Sequence, residues 1–209
     1  MNKLAFATTT LVFVFATQAW SAPTGGGLNS TEFSVQVQFQ PTSTDPRQAI
    51  SFEDTAVVNG NVEFPSLAAL DIGSNPFNLF VVDVAVDVGN DFIDIDFDNA
   101  LPSTFASGLF NGYRFTFDSV VPVDILSASV DQGITTLGIS DSDLLFNNNE
   151  LFLNVASRSF NSSTFARINL NAVGGPTSPQ AVPLPGTLAL SALGFASMFI
   201  TLAVGRPRQ

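Results

Sequence analysis

Five aspartates are spaced so that they could hold a metal ion. In residues 79–98 the chain reads Leu79-Phe80-Val81-Val82-Asp83-Val84-Ala85-Val86-Asp87-Val88, then Gly89-Asn90, then Asp91-Phe92-Ile93-Asp94-Ile95-Asp96-Phe97-Asp98. A strand alternates its side chains between two faces, so Val82, Val84, Val86 and Val88 share one face with Ile93, Ile95 and Phe97. Asp83, Asp87, Asp94, Asp96 and Asp98 then share the other. With Gly89-Asn90 as a two-residue hairpin turn, Val88 pairs with Asp91 and Asp83 lies opposite Asp96. Like charges directly opposed across a sheet are destabilising, so five carboxylates on one face need an explanation. One is a hard cation, calcium above all, which takes carboxylate and carbonyl oxygens. The other is a solvated acidic face that keeps the protein soluble and discourages edge-to-edge pairing. The spacing is that of flat strands and lacks the looped pattern of an EF-hand. Calcium is the one cofactor these residues bring into view, and no other cofactor is expected.

Composition narrows the remaining chemistry. The 209 residues contain no histidine and no cysteine. Catalytic triads with histidine, thiol nucleophiles, thiolate or imidazole zinc sites and disulfide staples are therefore outside this sequence. An enzyme built from it would have to use carboxylates, as glycoside hydrolases do with a pair of them. Glu32, Glu53, Glu63 and Glu150 are scattered among ordinary polar neighbours and nothing marks an acid and a nucleophile, so no catalytic residue is assigned and the chain is not expected to be an enzyme. Arg114, Arg158 and Arg167 are expected to pair with nearby carboxylates.

All eighteen acidic residues lie between Glu32 and Glu150, and the four arginines of the body, Arg47, Arg114, Arg158 and Arg167, leave it a charge of −14. Such a body does not suit nucleic acid, whose binding needs lysine and arginine. Elements that could position the aspartates follow from period-2 alternation. Phe33, Val35, Val37 and Phe39 mark a strand, as do Phe80 to Val88, Ile93 to Phe97, Tyr113 to Phe117, Leu151 to Val155 and Ala166 to Leu170. Turn chemistry separates them at Asn59-Gly60-Asn61, Gly89-Asn90, Asn111-Gly112, Gln132-Gly133 and Asn147-Asn148-Asn149. Only 66–72 reads as a candidate helix. The fold class expected is all-β: one antiparallel β-sandwich or jelly-roll-like domain over 22–173, with no internal repeat.

The two ends read as addresses. Residues 1–21 have a positive start at Lys3, a short apolar run and small residues at Ala19 and Ser21, the pattern of a secretory signal peptide. Cleavage between Ser21 and Ala22 puts Ala19 and Ser21 in the small pockets of signal peptidase. At the other end a Gly/Pro-rich linker with a Val-Pro-Leu-Pro motif spans 174–185, an uncharged span covers 186–204, and 205–209 form a basic tip with Arg206 and Arg208. Eighteen uncharged residues from Thr187 to Val204 would rise about 27 Å as a helix, near the ~30 Å hydrocarbon thickness of a bilayer. The two arginines favour a cytoplasmic tip and an external body.

Val182, Pro183, Leu184, Pro185 and Gly186, followed by the apolar span and by Arg206 and Arg208, resemble the PEP-CTERM sorting signal in its VPLPA variant. Gly186 stands where the variant has alanine, and Pro207 splits a basic cluster thinner than the family's. The resemblance implies export from a Gram-negative bacterium and a membrane-anchored intermediate. It further implies processing by an exosortase and delivery to the cell surface or an extracellular polysaccharide matrix. The segment from Phe105 to Asn171, with Phe110-Asn111-Gly112-Tyr113-Arg114-Phe115 and Leu151-Phe152-Leu153-Asn154-Val155, resembles the bodies of exported PEP-CTERM proteins with no assigned activity. That likeness implies no catalytic residues. The partners expected are signal peptidase, an exosortase, the bacterial membrane and extracellular polysaccharide; a carbohydrate- or calcium-binding module is the alternative role.

Overall fold

The computed structural model describes residues 27–118, 120 and 122–174. The signal peptide expected at 1–21, with Ala19, Ser21 and Ala22, lies outside the described residues. So do Val182 to Gly186, the apolar span and the basic tip. Among the described residues no helix is long and apolar enough to cross a membrane.

Twelve strands and two short 3-10 helices make up the described chain, and every strand pairing is antiparallel. The larger sheet holds β1 (Glu32–Gln40), β2 (Gln48–Ala49), β3 (Asp54–Val57), β7 (Phe110–Thr116), β9 (Leu144–Asn147) and β10 (Glu150–Asn154). Its order is β2-β1-β7-β10-β9, with β3 also on β1. The second sheet runs β4 (Ala85–Val88), β5 (Phe92–Asp96), β12 (Phe165–Gly174) and β8 (Val123–Val130). A small pair joins β6 (Ser103–Thr104) to β11 (Ser159–Phe160). The candidate helix is a single 3-10 turn over Leu67–Leu70, and the other such turn is Asp141–Asp143.

The alternation that marks the strands also builds the core. Phe33, Val35, Val37 and Phe39 from β1, and Tyr113 and Phe115 from β7 with Phe117 just beyond it, are buried together with Leu151 and Leu153 of β10. Ile93 and Ile95 of β5, Phe97 after it, and Ala166, Ile168 and Leu170 of β12 join them in one continuous cluster. Phe33 meets Phe64 edge-on at 5.5 Å and stacks with Phe117 at 6.0 Å. The two sheets thus turn their apolar faces to a common interior, the arrangement of a β-sandwich. Where β8 borders the β9–β10 turn, the Ile125 N–H donates to the Asn148 carbonyl at 2.6 Å.

Two expected features differ. Asn111-Gly112 is not a turn but lies inside β7, where Gly112 pairs with Gln38 on one side and Asn154 on the other. A Cβ on Gly112 would lie 1.9 Å from the Leu153 carbonyl oxygen, so the glycine is there for close approach of β10. Asn111 is buried, its amide donating to the Ala106 carbonyl at 3.0 Å and its N–H to Asn154 Oδ1 at 3.1 Å. The second difference is the run 79–84, which alternation assigns to a strand. Only Ala85–Val88 pairs in the sheet, and Phe80, expected to face inward, is 77% exposed while Val81 is buried. The partner strand ends at Asp96, whose Oδ1 accepts the Asp98 N–H at 2.9 Å and turns the chain away.

Gly112→Ala is expected to destabilise the domain by roughly 1–3 kcal/mol, the usual cost of overpacking. Equilibrium unfolding in urea measures it, and an unchanged midpoint would contradict the close β7–β10 approach.

Candidate functional site

The acidic hairpin forms, but two residues out of the expected register. Val88 pairs with Ile93, Asp87 with Asp94, Val86 with Ile95 and Ala85 with Asp96. The cause lies at Gly89, whose N–H donates to the Phe92 carbonyl at 2.9 Å. The Phe92 ring occupies the space of a Gly89 Cβ, 2.2 Å from it, so these two residues pair and the turn moves to Asn90-Asp91. The turn is then held from both sides: Leu28 donates to the Asn90 carbonyl and Leu170 to that of Asp91. A shift of two residues preserves the faces, so the valines and isoleucines stay buried and the aspartates stay outside.

The register shift sets Asp87 directly against Asp94, and Asp94 lies opposite Arg167 of β12. The Arg167 Nε donates to Asp94 Oδ1 at 2.6 Å and its Nη2 donates to Oδ2 at 2.5 Å. Its guanidinium also stacks on Phe92, 4.3 Å from the ring centre. This fork-to-carboxylate geometry is the strong form of an ion pair. Donating to the Asp94 carboxylate raises the Arg167 pKa. Burial, and then the neighbouring Asp94 charge, push the Asp87 carboxyl above its ordinary value. The remaining aspartates are engaged elsewhere. Asp83 accepts the Ser66 hydroxyl at 2.5 Å, Asp96 holds the turn to Asp98, and Asp98 is exposed. Among the described residues no three Asp or Glu side chains are grouped to hold a metal ion.

A second polar cluster lies on the outer face of the larger sheet, where the sequence showed only scattered glutamates. Arg114 of β7 donates through Nε to Glu150 Oε1 at 2.8 Å, and its Nη2 lies 2.7 Å from the same oxygen. Its Nη1 is 4.0 Å from Glu53, which accepts the Ser34 hydroxyl at 2.6 Å. Arg47 rests against two rings, 4.0 Å from the centre of Phe110 and 4.6 Å from that of Phe152. The Asn147 amide, bonded to Glu150 at 3.0 Å, and the Arg114 guanidinium hold the Glu150 pKa below its ordinary value. Burial lowers that of Arg47. Arg158 pairs with Asp143 at 3.2 Å. The sequence carried no local signal for this cluster, because Arg114 and Glu150 are 36 residues apart and meet only once β7 and β10 are side by side.

A cavity of about 650 Å³ opens beneath the segments around Asn78 to Asp83 and Asn99 to Ala106. Among the described residues Asp83 is the one carboxylate on its lining. Comparison with protein-family models, with curated proteins and with solved structures finds no match to this chain.

Opposite pKa shifts predict opposite pH dependence. Asp87 is raised, so its contribution to stability is present below its unfolded-state value near 3.8 and is lost as the pH rises through the folded-state value. Asp87→Asn is therefore expected to stabilise at pH 7, with the gain vanishing in acid. Glu150 is lowered, so its contribution is present above its unfolded-state value near 4.5 and is lost as the pH falls through the folded-state value. Glu150→Gln is expected to destabilise at pH 7 and to become neutral in acid. Thermal melts of both variants between pH 3 and pH 7 check the signs.

Proposed function

We propose that this protein is an exported cell-surface or extracellular-matrix protein with a structural or interaction role and without catalysis, delivered by exosortase sorting. The observation that carries the reading is the order of segments in the sequence. An export signal precedes an acidic all-β body, and a Val-Pro-Leu-Pro motif, an uncharged span and arginines follow it. A sandwich-like domain with polar outer faces suits such a setting, since it needs no partner to cover an apolar sheet face.

The charged side chains support a scaffold more than a reaction centre. Arg114, Arg158 and Arg167 each bind a carboxylate, and two of these pairs tie neighbouring strands together. Asp87, the carboxylate with a raised pKa, lies on the outer face of its sheet and does not line the cavity. On this reading the acidic hairpin is a solvated face with Asp94 clamped by arginine. The calcium-binding alternative would need Asp83, Asp87, Asp94, Asp96 and Asp98 to regroup around an ion.

Sorting is tested by producing the full chain in a Gram-negative host with and without an exosortase and determining the C-terminus of the mature protein by mass spectrometry. The proposal expects loss of the segment following the Val182–Pro185 motif only when the exosortase is present. An intact, membrane-held C-terminus in both hosts would overturn it in favour of a permanent anchor. The acidic face is tested separately by thermal melts in calcium chloride and in sodium chloride of matched ionic strength. Equal stabilisation is expected, from screening of a body of charge −14. A calcium-specific shift that Asp94→Asn abolishes would favour the ion-binding role instead.

A further inference from the structure

The cavity beneath the 78–83 and 99–106 segments has the attributes of a binding site that the surface role does not use. Its volume of about 650 Å³ is in the range of small-molecule sites, roughly 300–1,000 Å³. Val37 and Ile50 line it from the larger sheet side, and Leu79, Val81, Phe105 and Phe160 from the others. The Phe105 and Phe160 ring centres lie 4.7 Å apart, and both rings pack against Phe97, so this wall is a cluster of three aromatic rings. The mouth is also preformed. Asn75 accepts the N–H groups of Phe77 and Leu79 and donates to the Leu79 carbonyl, and Asn78 takes a left-handed backbone at φ 53°.

Two observations point to an occupant. Tyr113 lines the cavity and is 1% exposed, yet its buried hydroxyl has no hydrogen-bond partner among the described residues. A buried hydroxyl left unpaired is costly, and a ligand acceptor would remove that cost. Phe80 and Leu101 line the same cavity while 77% and 84% exposed, leaving large apolar surface in water where a ligand would cover it. The charge of the lining selects among ligands. Among the described residues it has no lysine or arginine and one carboxylate, Asp83, so an anion finds no counter-charge among them.

We propose that this cavity binds a neutral, mainly apolar small molecule carrying one carbonyl or comparable oxygen, which accepts the Tyr113 hydroxyl proton in a hydrogen bond. The apolar body lies along Val37, Ile50, Phe105 and Phe160, and Phe80 and Leu101 close over its outer end.

Thermal melts of the full chain, followed by circular dichroism, test this with 2-nonanone, nonane, nonanoate and maltohexaose as probes. The ketone is expected to raise Tm saturably, nonane less, and nonanoate and the sugar not at all. Tyr113→Phe keeps the ring and removes an unpaired hydroxyl, so its Tm without ligand should hold or rise. Its affinity for the ketone should fall about tenfold, toward that for nonane. Phe80→Ser alters an exposed side chain and is expected to weaken ketone and nonane alike while leaving the fold intact. Ketone binding indifferent to both substitutions would place the ligand elsewhere on the chain and overturn the proposal. So would tighter binding of nonanoate or maltohexaose, or no shift with any probe.

Discussion

The common interior of the two sheets is the constraint on which the rest depends. With no cysteine to staple the chain, the larger sheet and the second sheet can stay together only by burying their inward faces against each other. Phenylalanine supplies much of that contact: Phe33, Phe97, Phe115 and Phe117 are among the largest fully buried side chains. Because a strand offers one face in two to this interior, the opposite positions are free for polar groups. Asp87, Asp94 and Glu150, with Arg114, Arg167 and the glutamines of β1, occupy those outward positions. Electrostatics here follows from packing.

That order of cause explains why the cations sit where they do. Arg167 neutralises Asp94 at a place where a like-charge pair, Asp87 and Asp94, faces across strands. Arg114 of β7 binds Glu150 of β10 and so ties two neighbouring strands together. Side chains of these pairs remain partly exposed, 31% and 13% for Arg167 and Asp94, so each contributes modestly to stability beside the core. Their effect is to let a strongly acidic surface coexist with regular strand pairing.

Much of the fold was legible in the sequence because burial has period 2. The alternating apolar residues read from β1, β5, β7, β10 and β12 are buried. Legibility failed where something other than alternation sets the backbone. β8 was hidden by a bulge, since Asn171 pairs with Ser127 but Ala172 with Ile125, leaving Leu126 extra and exposed. On the other side of the fold, the edge of β1 is shared by β2 and β3, and the Ser51 hydroxyl accepts the Val37 N–H at 2.8 Å between them. The hairpin turn moved because a ring fills the space over Gly89, a tertiary contact that turn propensity does not encode. The candidate cavity was illegible for a related reason. Alternation puts Phe80 on the inward face, whereas Val81 is the residue buried there, and Tyr113 reads as an ordinary core position until its unpaired hydroxyl is seen.

The central claim is that both sheets share one cooperative core, and native-state hydrogen exchange of the full chain tests it most directly. Amides within β1, β7 and β10 should exchange with the same opening free energy as those within β5 and β12, since neither sheet keeps its buried face without the other. The short β6–β11 pair should open more readily. Two well-separated free energies, one for each large sheet, would show that the sheets are stable independently and would contradict the account.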